Sequence, residues 1–178
     1  MGNQIASNAE LFVEPQRSMQ FALARKGILN PGVETLTPVR HPHLYRLGHS
    51  TLSDDENLSS PWWTDYENFI TLKHFAARNS ISLTISSRIQ NAQTPEFGPA
   101  NVVYKAKLAA PLMVFQGLGR PMLASDGRTY APPHTVTQTF VPGLGAWPMK
   151  GLSDIGRRAF SSFSTEPVVK GMISLYSE

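Results

Sequence analysis

The residue best suited to chemistry in this chain is Arg46, set in the run Leu44-Tyr45-Arg46-Leu47. A guanidinium between apolar neighbours is costly to bury alone. It calls for a fixed anion, and its planar fork matches phosphate or carboxylate with two parallel hydrogen bonds. Asp54, Asp55 or Glu67 could answer it from within the chain. His41 and His43 stand two apart, a spacing that puts both rings on one face of a strand. Pro42 between them favours a loop, and no third metal ligand is evident. Trp62 and Trp63 follow an acidic, polar stretch. Trp63 holds the position that packs beneath a following helix, which leaves Trp62 for a planar ligand or a partner. A third ring, Trp147, lies in a Gly/Pro-rich loop of the kind that can recognise a protein target. Absences are informative too. There is no cysteine, so no disulfide, thiolate metal site or cysteine nucleophile. The phosphate-cradling, zinc-helix and nucleophile-elbow motifs are missing, and Gly117-Leu118-Gly119 lacks the third glycine of a dinucleotide fingerprint.

These residues must be positioned by a chain of 178 residues, 41% hydrophobic and only 16% charged. The charged share is below the usual ~25%, with Ser, Thr, Asn and Gln in its place, which excludes a coiled coil or a charged disordered tail. One domain is expected over residues 16–178, behind a flexible arm at 1–15. Met1-Gly2-Asn3-Gln4-Ile5-Ala6 misses the myristoylation pattern at Ala6. The net charge of +3 divides as +2 over residues 1–50, −3 over 51–97 and +4 over 98–150. That is too dispersed for a nucleic-acid face. No apolar run is long enough for a membrane span, and a monomer is expected.

Periodicity supplies the elements. A short helix is expected over residues 16–26, with Pro15 before it and Gly27 after it. Residues 28–43 read as a loop with extended pieces, Leu44–Leu47 as a strand and Thr51–Ser60 as an exposed acidic loop. The strongest helix covers residues 64–78, opened by Thr64 with Glu67 three residues on. Ser80–Gln90 reads both ways, because Ile81, Leu83 and Ile85 alternate while Ile81, Ile85 and Ile89 recur every four. Strands follow at 101–108, 112–115, 135–141 and 168–176, with a turn-rich stretch at 117–133 and a short helix at 154–163. The sum is an α+β domain with a mixed or antiparallel sheet, one strong helix and a short N-terminal helix.

Leu44-Tyr45-Arg46 resembles the first motif of the mono-ADP-ribosyltransferase toxins and effectors, in which an aromatic-Arg pair ends the first core strand. The helix at 64–78 is similarly placed in that fold. The resemblance implies NAD as substrate, with Arg46 orienting its diphosphate and nicotinamide ribose. Ser82-Leu83-Thr84-Ile85-Ser86 is a loose parallel to the family's Ser-Thr-Ser strand, which implies that Ser82 and Ser86 brace the NAD pocket and that Trp62 flanks it. The family's catalytic Glu precedes or begins a late strand. Thr137-Gln138-Thr139-Phe140 offers Gln138 there, so Glu166, the only late interior Glu, takes the catalytic role by resemblance. A carboxylate holds the ribose hydroxyl, stabilises the oxocarbenium-like centre and activates the nucleophile. The implied activity is transfer of ADP-ribose to a protein, or to water, by a secreted bacterial effector acting in the cytosol of a target cell. The residues alone leave open a non-enzymatic protein-binding module, an effector, immunity or viral interaction protein with a cytoplasmic location as the alternative, that uses Trp62, Trp147 and the Pro/Gly-rich loops with Arg46 as a structural residue.

Overall fold

The computed structural model of the chain describes residues 5–146 and 151–169. The fold is α+β and its sheets are antiparallel throughout. Helix α1, Met19–Gly27, is capped by Ser18, whose hydroxyl accepts the Phe21 N–H; Gly27 is its last residue and the chain passes directly into strand β1, Ile28–Leu36. That nine-residue strand replaces the expected loop. Pro31 and Gly32 are absorbed by a register shift between Leu29 and Gly32, where Asn30 takes φ +50. A bulge removes the ladder positions that a proline cannot fill.

Strand β2, His43–Gly48, carries Arg46. The acidic stretch after it contains helix α2, Asp54–Leu58, with a capping box between Ser53 and Glu56. Strand β3 is only Trp62–Trp63, and helix α3, Tyr66–Arg78, follows. Its N-cap is Asp65, which accepts the Asn68 N–H, rather than Thr64. Thr64 is held elsewhere, since it exchanges backbone hydrogen bonds of 2.8 and 2.7 Å with Tyr45. Ser80–Gln90 resolves as helix. Ser82 caps α4, Leu83–Asn91, which buries Ser86, Ser87 and Gln90 and exposes Ile85 and Ile89. The isoleucine spacing is therefore helical but points outward.

Strand β4 is Val102–Leu108 and β5 is Leu112–Gly119, four residues longer than expected. The turn-rich stretch holds a two-stranded hairpin, β6 Met122–Leu123 with β7 Thr129–Tyr130. Strand β8, Thr137–Phe140, helix α5, Asp154–Ala159, and strand β9, Phe160–Pro167, complete the described chain. The last four residues of the helix expected at 154–163 thus belong to β9. Val168 and Val169 follow it as irregular chain, and the rest of the strand expected at 168–176 lies outside the described residues.

One sheet runs β1-β5-β8-β3 and a second runs β2-β4-β9. Their facing sides share the main core, with Leu44, Ala106, Leu112, Val114 and Trp63 inside it. The other side of the four-stranded sheet is covered by α1 and a 3-10 turn at Ala9–Phe12, around Ile28, Phe115 and Phe140. Residues expected as part of a loose arm thus dock onto the domain. Asn8 is fully buried, with Nδ2 donating to the Met113 and Pro142 carbonyls and Oδ1 accepting the Met113 N–H. Phe12 stacks on Phe115 at 4.9 Å. Helix α3 packs on β2 through Phe69 and Tyr45, whose rings lie parallel at 4.1 Å. Among the described residues no helix is long and apolar enough to cross a membrane.

Candidate functional site

Pleating sends Leu44, Arg46 and Gly48 to the same side of β2, toward the core between the sheets. Leu44 fills that core, and Arg46 lies at its margin, where β3 crosses from one sheet to the other. Arg46 Nη1 donates to Ser60 Oγ and, at 3.1 Å, to the Trp62 carbonyl. It makes no ion pair among the described residues. Asp54 instead accepts from the Tyr104 hydroxyl at 2.7 Å, Asp55 approaches Arg157 at 3.8 Å, and Glu67 lines a different cleft. The Arg46 Nε is enclosed and has no hydrogen-bond partner. Burial pulls this guanidinium well below its ordinary value, down to about 10, so it remains charged at neutral pH with no counter-ion among the described residues.

The cleft beside it has a volume of about 630 Å³. Lys26, His49 and Arg120 also line it, as do Leu52, Trp62, Phe97 and Met122. Arg120 has an enclosed Nε without a partner as well. His49 accepts the Ala100 N–H on Nδ1 at 3.0 Å, which assigns its proton to Nε2. Burial, then Arg46, then Arg88 lower its pKa, so the ring is neutral at pH 7. Gly98, at φ +103, makes room for that ring; a Cβ there would lie 2.8 Å from Nδ1. Glu56 is the carboxylate on this cleft among the described residues, and its Oε2 accepts from the Ser53 N–H and Oγ–H at 3.0 Å each.

The residues chosen from sequence are not brought together. Arg46 and Trp62 share the cleft, but Trp62 is half-buried, with its ring edge on Phe140 at 4.9 Å and its indole over Gly27. Ser82 caps α4, and Ser86 is buried with its hydroxyl donating to the Leu72 carbonyl at 2.7 Å; neither stands on a strand. That removes the basis of the Ser-Thr-Ser parallel. Glu166 is exposed on β9, opposite Val103 and hence in line with Leu47, whereas Arg46 is in line with Tyr104 and Thr165. Its side chain and that of Ser82 line a separate cleft of about 960 Å³ with Tyr66 and Lys105. Gln138, by contrast, does line the Arg46 cleft, its Nε2 donating to the Asn91 carbonyl at 2.9 Å. His41 and His43 line the larger cleft, and no group of three metal-ligating side chains occurs among the described residues. Trp147 lies outside the described residues.

Sequence reasoning missed His49 and Arg120. Neither sits in an apolar run that would mark its charge as anomalous; His49 follows Arg46 by three residues, and chain folding alone joins Arg120 to them. The arrangement suits an anion with a flat apolar portion, since Arg46, Arg120 and Lys26 line the cleft together with aromatic and aliphatic side chains. No protein-family profile, characterised protein or solved structure matches the chain.

Proposed function

We propose that the protein binds NAD in the Arg46 cleft and moves its ADP-ribose to a protein side chain or to water. One observation carries the reading: a largely buried Arg46 with no carboxylate partner among the described residues and an unbonded Nε. Such a charge is unfavourable without an anion, and a diphosphate supplies one. The volume suits a nucleotide-sized ligand, and the aromatic wall suits a base or a nicotinamide ring. In the transfer, the bond between ribose C1 and nicotinamide breaks and nicotinamide leaves with its electron pair. The acceptor bonds to C1 and gives up its proton. Glu56 is the carboxylate in reach of that chemistry, in place of Glu166. The resemblance to secreted effectors extends the proposal to action on a host protein in the cytosol of a target cell.

The capping role of Glu56 and the presence of Gln138 on the cleft favour a second reading, a protein that binds the dinucleotide without consuming it. Nicotinamide release and NAD binding separate the two. The comparison is wild type, Arg46→Met, Glu56→Gln and Glu166→Gln, with a cell lysate as acceptor source. Release that disappears with Arg46→Met and Glu56→Gln but persists in Glu166→Gln is the expected result. Binding without release selects the second reading. If wild type does not bind NAD, both fall.

A further inference from the structure

Arg46 is not the only cation on this cleft with an enclosed, unbonded Nε and no ion pair among the described residues. Arg120 has the same two properties: its Nε is enclosed without a hydrogen-bond partner, and it makes no ion pair among the described residues. It comes from a different part of the chain. It stands between β5 and the β6–β7 hairpin, and its N–H donates to the Gly27 carbonyl at 3.1 Å, beside Lys26 at the end of α1. The hairpin pairs with no other strand. It is tied at its tip, where the Ser125 N–H and Oγ–H donate to Glu96 Oε1 at 2.8 and 2.5 Å. Glu96 belongs to the 3-10 turn Pro95–Phe97, whose Phe97 also lines the cleft. Arg120 and Met122 are thus held over the cleft by a latch that neither of them makes.

We infer that Arg120 is a second anion ligand, so that the molecule bound here carries two linked phosphate-type groups, one on Arg46 and one on Arg120. A single anion satisfies one guanidinium fork and leaves the other enclosed and unpaired, whereas two linked anions satisfy both. Lys26 adds charge at the Arg120 side, and neutral His49 adds a donor near Arg46 without adding charge. The inference rests on the cleft being the ligand site, as in the function proposed above, but not on the ligand being NAD.

Titration calorimetry with inorganic pyrophosphate, inorganic phosphate and NAD tests it, on the whole chain at one ionic strength. Wild type is expected to prefer pyrophosphate over phosphate by about tenfold or more, the factor expected of one added charge-assisted contact. Arg120→Gln should bring pyrophosphate down to the phosphate level and change phosphate binding less than about twofold. Arg120→Lys keeps the charge without the fork and serves if the glutamine variant does not fold; it should lower the preference severalfold. An unchanged preference in the folded variants, or none in wild type, overturns the inference. The NAD arm keeps the two claims apart. NAD binding indifferent to Arg120→Gln rejects this role and leaves the NAD reading standing. A pyrophosphate preference that depends on Arg120, without NAD binding, rejects NAD and keeps the role.

Discussion

Replacing Arg46 by Met separates the ligand argument from the folding argument. Burial lowers the Arg46 guanidinium from its ordinary value to about 10. At 1.36 kcal/mol per unit, the charged form is disfavoured in the folded protein by about 3 kcal/mol relative to the unfolded chain. Against this stand the bonds from Nη1 to Ser60 Oγ and the Trp62 carbonyl, together worth about 3 kcal/mol at the lower end for two bonds from a charged donor. Ser60 Oγ still accepts the Trp62 N–H at 3.3 Å, and Met keeps the apolar stem. Arg46→Met should therefore lie between unchanged and about 2 kcal/mol more stable in urea unfolding near neutral pH. The sign with pH follows. A base whose folded value is depressed destabilises the fold below that value, and the effect lifts only as pH rises from about 10 toward the ordinary arginine value. The difference between variant and wild type should be flat between about pH 6 and pH 9. Ligand at a hundred times its Kd should stabilise wild type by about 2.7 kcal/mol and the variant hardly at all. A loss of about 3 kcal/mol or more in Arg46→Met would show that the charge has a structural partner, and the ligand argument would fail.

Asn8→Ala should destabilise the protein by about 2–4 kcal/mol, because three buried hydrogen bonds vanish and the Met113 N–H is left unpaired. Limited proteolysis should then cut first before Phe12, and equal protease resistance would contradict the docking. Gly27→Ala puts a Cβ 2.5 Å from the Trp62 indole; it should shift tryptophan emission and lower stability by about 1–3 kcal/mol. Ser125 first, then Thr94, hold the Glu96 carboxyl down to about 2 by hydrogen bonding. The latch should be fully present above about pH 4.5 and be lost as pH falls through about 2. Glu96→Gln should speed amide exchange across residues 122–130 at neutral pH; rates equal to wild type would refute the latch.

The strands with clean alternation were legible, as in β4, where Tyr104, Ala106 and Leu108 are buried between exposed Lys105 and Lys107. Arg46 was legible for the same reason, as a charge interrupting an apolar run. The long β1 was hidden because Pro31 and Gly32 read as a break, while the fold accommodates them in a bulge. Helix α4 was hidden because its isoleucines face solvent and its serines face α3, the reverse of the usual polarity. The site depends on long-range assembly. Arg46 and His49 come from the end of β2 and just after it, Arg120 from a distant segment, and the enclosed, unbonded Nε atoms of the two arginines are properties of packing rather than of spacing. The short motif could mark a strand and a cation, but it could not foresee that pairing across β4 would align Glu166 with Leu47.

The chain crosses between its two sheets within three consecutive residues. Trp62 and Trp63 pair with Phe140 and Thr139 in one sheet, and Thr64 pairs with Tyr45 in the other. The Arg46 contact falls on this crossing, through the Trp62 carbonyl. Two of the chain's three tryptophans therefore flank the cleft as optically distinct reporters. The Trp62 indole is half-buried over Gly27, and the buried Trp63 donates Nε1–H to the Ser60 carbonyl at 2.8 Å. Ser60 and Trp62 are the two groups that receive the Arg46 guanidinium, so a change in its charge environment acts directly on both chromophores. Occupancy of the cleft becomes a spectroscopic quantity, read from emission wavelength and collisional quenching without an attached dye.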